Sequence, residues 1–155
     1  MTRHEIALDI LKKGTVIPAT PLALTNDRKL NEKGLKLLMN YYLDSGVGGI
    51  ATAVHTTQFE IRDPEVNLFE PVLKLVSEEI DKYEKANDKV VVKVAGVCGP
   101  IEQAIKEAEL AKKYGYDAVL LSPGGLNDKS EDYMIERTEA VAKLCLLSVF
   151  ICKLQ

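Results

Sequence analysis

Apolar residues fall along this chain in two textures that alternate. In five short stretches, residues 14–19, 49–54, 90–94, 118–121 and 146–152, most positions are apolar one after another. Consecutive apolar positions predict strands covered on both faces, as in a parallel sheet with helices on each side. Between them the apolar residues recur at helical spacing. Leu35, Leu38, Met39, Tyr42 and Leu43 share one face of a helix that Gly46 ends. A second helix is predicted to open at Asp63-Pro64-Glu65, an acid at the N-cap followed by proline at the first helical position. Its apolar face is Val66, Phe69, Leu73, Val76, Ile80 and Tyr83. A third runs from Pro100 to Gly115 on Ile101, Ala104, Ile105, Ala108 and Ala111. A fourth starts after Ser130 and carries Met134, Ile135, Thr138, Val141 and Ala142. A short helix over residues 3–11 precedes the first strand.

The alternation describes successive αβ units. Gly46-Val47-Gly48-Gly49-Ile50 and Gly115-Tyr116-Asp117-Ala118-Val119 each set a helix-ending glycine three residues before a strand. No Pro-rich, Gly/Ser-rich or single-charge linker interrupts the series, so residues 1–155 read as one domain or one part of a domain. Two α/β architectures fit about five parallel strands and four crossover helices. A doubly wound sheet of the flavodoxin type uses five strands. A (β/α)8 barrel needs eight units and about 250 residues.

Composition narrows the partners. A net charge of −3 offers no basic field to nucleic acid or to an anionic membrane surface. The polar start, Met1-Thr2-Arg3-His4-Glu5, has no signal-like apolar core behind it, and the longest apolar run, residues 144–152, is about half a membrane span. Cys98, Cys145 and Cys152 are odd in number and lie in apolar segments, which suits reduced thiols and a cytoplasmic address. His4 and His55 are far apart and no Cys-x-x-Cys pair occurs, so no metal site is expected.

The residues around the first two strands add a resemblance. Gly14-Thr15-Val16-Ile17-Pro18-Ala19-Thr20-Pro21 leads to a helix, then to Gly46-Val47-Gly48-Gly49-Ile50 and a strand ending at His55-Thr56-Thr57. Val94-Ala95-Gly96-Val97, Tyr114-Gly115-Tyr116-Asp117-Ala118 and Ser122-Pro123 follow in order. This succession resembles the N-terminal part of the dihydrodipicolinate synthase / N-acetylneuraminate lyase family over roughly residues 14–149. The resemblance implies a partial TIM barrel, in a family of class I aldolases that are usually homo-oligomers. Such lyases bind pyruvate or another 2-oxo acid as a Schiff base on a lysine of a late strand, and no cofactor is implied.

Matched onto the family pattern, Thr56 and Thr57 take the place of paired threonines that hold the substrate carboxylate and pass protons. They are the catalytic and substrate-binding candidates; the plainer reading makes them two polar residues of a βα loop. His55 and Gln58 stand where the family has glycines, which lets the pocket be altered, because glycine supplies positive φ and close backbone approach. His55 is either a new acid or base or a polar loop residue. After the fourth strand, Pro123-Gly124-Gly125 lacks the family's aromatic residue. Gly124-Gly125 is a flexible βα loop or, in the flavodoxin-like alternative, a phosphate cradle.

Leu147-Ser148-Val149 fits the start of the fifth strand, and then Phe150 to Gln155 diverges; the strand-five tyrosine and the strand-six lysine have no counterpart. The expectation is a truncated family member without family catalysis, so whether the chain is an enzyme stays open. A relocated imine-forming lysine is the first alternative. Lys93 is the one lysine inside a predicted strand, and lysines buried among valines are nucleophiles of the required kind. The plainer reading sends its side chain to solvent. A non-catalytic binding or scaffold protein is the second alternative. The expected partners are a small 2-oxo acid, and further copies of the chain or full-length relatives meeting exposed strand edges.

Overall fold

The computed structural model describes residues 1–144. The predicted fifth strand, with Cys145, Cys152 and Lys153, lies outside the described residues.

Helix α1, Arg3–Lys13, starts on a capping box in which the Thr2 hydroxyl accepts from the Glu5 amide and the Glu5 carboxylate accepts from the Thr2 amide. Helix α2, Glu32–Asp44, starts where the Asn31 side chain accepts from the Gly34 amide. Strand β1 is Gly49–Thr52, helix α3 Phe69–Asn87, strand β2 Val92–Val97, helix α4 Ile101–Lys113, strand β3 Ala118–Leu121, and helix α5 Glu131–Ala142. Ser130 caps α5, accepting from the Tyr133 amide.

The three strands pair in parallel in the order β1-β2-β3. The predicted first strand is reduced to a single bridge, Ala19 to Ala51. The segment nevertheless runs beside β1, with the Gly48 amide on the Val16 carbonyl, the Ala51 amide on the Pro18 carbonyl and the Thr20 amide on the Ala51 carbonyl. In that register the nitrogen of Pro18 falls at a ladder position, and proline has no N–H to give. Spatial order therefore equals sequence order for all four extended segments. A flavodoxin-type sheet puts its first strand between the second and third. Here the second element, β1, sits between the first and third, which excludes that alternative and leaves a partial barrel.

Two element boundaries differ from expectation for local reasons. The helix predicted from Asp63 begins at Phe69, because Asn67 takes φ +46° and interrupts the turn. Asp63 still caps, but its carboxylate accepts from the Glu65 amide in a local turn. On α5 the buried residues are Arg137 and Val141, and Ile135 faces outward at 57% exposure.

The core lies between the sheet and the helices. Leu35, Met39 and Leu43 of α2 meet Ile50 of β1 and Val72, Val76 and Ile80 of α3. Leu73 of α3, Ala95 and Val97 of β2, and Ala104, Ala108 and Ala111 of α4 form a second cluster with β3. On the opposite sheet face Val94 and Leu120 are only half-buried and border a hollow of about 210 Å³ with Ala51, Ile17 and Leu11. Helix α1 is anchored below: Arg3 reaches Glu84 at 2.9 Å, Asp117 at 2.6 Å and the Val91 carbonyl at 3.0 Å, at the N-terminal ends of β2 and β3. The C-terminal ends are left for a different set of side chains.

Candidate active site

Strand β1 ends abruptly. Thr52 is its last residue and Ala53 turns to φ +60°, a conformation costly for any residue with a Cβ. A turn of 3-10 helix, His55–Thr57, follows, and Gln58 leaves it at φ +75° and ψ 130°. Gln58 thus keeps the positive φ expected of the glycine it replaces, at a strain glycine would not carry.

The two threonines have different environments. Thr57 is fully buried; its hydroxyl donates to the Thr20 carbonyl at 2.7 Å and accepts from the Ala53 amide at 3.1 Å. The Thr20 hydroxyl is 3.4 Å away and reaches the Ala51 carbonyl at 3.3 Å. Thr57 therefore clasps the end of segment 14–20 to the end of β1. Thr56 is exposed, and its hydroxyl has no hydrogen-bond partner among the described residues. It borders a cavity of about 550 Å³ at the C-terminal ends of the strands, with His55, Phe59, Arg62, Gly96, Ser122 and mostly apolar neighbours. His55 packs edge-on to Phe59, ring centres 5.6 Å apart.

Two arginines, neither foreseen in the sequence, tie these strand ends together. Arg62, from the 3-10 turn Phe59–Arg62, donates through Nη2 to the carbonyls of Ala53 (2.9 Å) and Gly96 (3.0 Å), after β1 and within β2. Its Nε donates to Glu107 Oε1 at 2.9 Å, and the two side chains are 9% and 6% exposed. The guanidinium carbon sits 4.6 Å from the Phe69 ring centre and 5.7 Å from that of Phe59. Nη1 is buried with no oxygen or nitrogen acceptor, and the guanidinium also interacts with the Cys98 thiol. Arg137 of α5, 1% exposed, donates to the Gly99 carbonyl at 2.8 Å and the Ser122 carbonyl at 2.9 Å, after β2 and β3. Burial holds its pKa below the usual arginine value, and no carboxylate pairs with it among the described residues.

Glu107 is the carboxylate of this group and also accepts from Gln103 Nε2 at 2.8 Å and the Cys98 amide at 3.0 Å. Although it is a charged residue of α4, it is buried to 5% exposure under the loop after β1. Desolvation first, then the Glu107 charge, pushes the Cys98 thiol above its ordinary pKa. Gly96 completes the packing, because a Cβ there would collide with the Ala53 carbonyl. A charged loop, Glu60-Ile61-Arg62-Asp63, was the only local sign of Arg62.

Lys93 lies elsewhere. It pairs in register with Ile50 and shares its helix-facing side. Its ammonium donates to Ser77 Oγ at 2.8 Å and to Asp81, both on α3, and the residue is 2% exposed, so the solvent-reaching reading is corrected. No lysine borders the 550 Å³ cavity among the described residues. Gly124 is at the cavity rim, its amide held by Ser122 Oγ at 3.1 Å, and α5 begins only at Glu131. Among the described residues no three metal-ligating side chains gather, and no helix is long and apolar enough to cross a membrane.

Several solved structures share this fold. The chain is similar to YagE, a prophage protein of the dihydrodipicolinic acid synthase family from E. coli K12 in complex with pyruvate, at TM-score 0.74 and 20% identity over 87% of this chain and 43% of that one. It is similar to dihydrodipicolinate synthase from Oceanobacillus iheyensis at TM-score 0.74 and 18% identity over 97% and 46%. For N-acetylneuraminate lyase from Fusobacterium nucleatum the values are 0.73 and 17% over 88% and 45%. The chain spans less than half the length of these structures, and at such identities the likeness establishes the fold, an N-terminal part of their barrel. No family model matches the chain, and no curated protein does.

Proposed function

We propose that this chain supplies the carboxylate-binding side of a 2-oxo-acid site and binds such an acid without forming an imine. The observation that carries the reading is the strained exit from β1. Ala53 at φ +60° and Gln58 at +75° hold a turn that puts the unpartnered Thr56 hydroxyl at the rim of a 550 Å³ cavity. Strain of this kind persists where the surrounding structure over-determines it, and such sites cluster at ligand-binding positions. Here the surrounding structure is the Thr57 clasp and the Arg62 tie. The cavity sits at the C-terminal ends of barrel strands, where substrates of this architecture bind. The pyruvate carried by YagE supports the ligand class.

Among the described residues the same cavity has no amine. Imine chemistry needs a lysine next to the carbonyl carbon, and Lys93 is engaged with Ser77 and Asp81 on the other side of the sheet. We therefore read this chain as part of a lyase frame that holds the ligand and does not break its carbon–carbon bond. Self-association, or association with full-length relatives, belongs to the same reading, since β3 pairs on one side only among the described residues.

Calorimetry with pyruvate, followed by intact mass after borohydride, tests both parts. Saturable binding that weakens in Thr56→Val, with no mass adduct, is expected. Absence of binding refutes the oxo-acid reading, and a stable single adduct refutes binding without an imine.

A further inference from the structure

The guanidinium of Arg62 is incompletely used. Arginine has five N–H groups and no acceptor. One proton, on Nε, goes to Glu107, and Nη2 serves two carbonyls. Nη1 is buried with no oxygen or nitrogen acceptor, and a further polar neighbour of the guanidinium is the Cys98 thiol, a weak acceptor. Folded proteins rarely leave a buried charged donor so, and each such group calls for an explanation. The side chain is 91% buried by its 9% exposure, and it borders the cavity.

Charge gives the same indication independently. Arg62 and Arg137 are both buried at the strand ends, and Glu107 is the one carboxylate set against them among the described residues. Its oxygens are already shared by Arg62, Gln103 and the Cys98 amide. One positive charge is left uncompensated in a region of low dielectric, where it attracts an anion more strongly than it would at the surface. The rest of the cavity wall is largely apolar, with Val54, Val97, Leu121 and Pro123 among its residues. A volume of about 550 Å³ exceeds what pyruvate fills and suits a longer ligand.

We propose that the ligand is a 2-oxo acid with a second carboxylate, and that Nη1 of Arg62 receives this second carboxylate. The inference rests on the oxo-acid reading above and extends it to a substrate class. Phe59, 41% exposed and 5.7 Å from the guanidinium carbon, is the side chain that yields as the carboxylate enters. Arginine suits this task better than lysine, since its fork keeps Nε and Nη2 on their present partners while Nη1 turns to the ligand.

Three probes test it on the full chain: pyruvate, 2-oxobutyrate and 2-oxoglutarate, by calorimetry and by the Nε–H resonance of Arg62 in nitrogen-15 spectra. The expected result is at least tenfold tighter binding of 2-oxoglutarate than of 2-oxobutyrate, with a shift of the Arg62 resonance only for the dianion. The double variant Arg62→Gln/Glu107→Gln removes both members of the pair, leaving the net buried charge as it is in the wild type, and is expected to reduce the preference below twofold. If that variant does not fold, the wild-type resonance and affinities decide alone. Equal affinity for the two longer acids, a preference that survives the double variant, or an equal response to inorganic phosphate overturns the proposal. Pyruvate binding without a dianion preference refutes it and leaves the oxo-acid reading intact. Dianion binding with pyruvate silent supports Arg62 and refutes pyruvate as the model ligand, and silence from all three refutes both.

Discussion

Replacing Gln58 by glycine should make this protein more stable. Gln58 is exposed, so its side chain contributes little packing, while its backbone sits at φ +75° and ψ 130°. That conformation lies outside the left-handed helical well and costs an L-residue about 1–3 kcal/mol, of which the extra unfolded-state entropy of glycine offsets about 0.5–1. The net gain is about 1 kcal/mol. With a urea m-value of about 2 kcal/mol/M, the unfolding midpoint should rise by about 0.5 M. Gln58→Ala is the control: it keeps the strained φ and removes the same side chain, so it should stay within about 0.5 kcal/mol of wild type. Ala53→Gly is the contrast. It relieves φ +60° but removes a methyl with no exposure, worth about 0.8 kcal/mol, and with the entropy of glycine its balance is near zero. Equilibrium urea unfolding of the three variants measures all of this. A Gln58→Gly protein no more stable than the alanine control refutes the strain argument and removes the main support for a held ligand turn.

The remaining predictions concern the neighbours of that turn. Arg62→Ala or Glu107→Ala alone should cost about 3–5 kcal/mol by leaving a buried charge unpaired, and replacing both with methionine should cost clearly less; additive losses in a double-mutant cycle would refute the coupling. Thr57→Val should destabilise by about 2 kcal/mol, since two buried backbone groups lose their partner, whereas Thr56→Val should change stability by less than about 0.5 kcal/mol; equal losses in urea would contradict the division of roles. With its pKa raised by burial and by Glu107, Cys98 holds less thiolate at pH 8.5 than a free thiol, so it should alkylate more slowly there and faster in Glu107→Gln; peptide mapping after iodoacetamide reads both rates. Light scattering on the full chain should give a mass above 17.1 kDa at high concentration, because among the described residues β3 has an unpaired edge; a clean monomer would refute self-association through this edge.

What could be read from the sequence was local in origin. The faces of α2, α3 and α4 follow from 3.6-residue spacing, and Thr2, Asn31 and Ser130 start helices through contacts within four residues. The ordered motifs around residues 14–57 and 94–123 pointed to a barrel of one family, and the solved structures share that fold. Where the reading failed, a distant group had intervened. Pro18 lost its place in the ladder only because of its register against β1, and the charged Glu107 of α4, which no local pattern singles out, became buried because Arg62 needed an acceptor 45 residues away.

Sequence by itself determined the α/β alternation and the helix starts other than that of α3, since each depends on spacing along one element, and the resemblance to a family singled out the candidate threonines. Tertiary structure decided the strand order that separates a barrel from a doubly wound sheet, the different duties of Thr56 and Thr57, and the side of the sheet on which Lys93 lies. It also brought Arg62, Glu107 and Arg137 together at the strand ends. Those outcomes depend on which elements become neighbours and on how a buried charge finds partners, and neither is encoded at any one position of the chain.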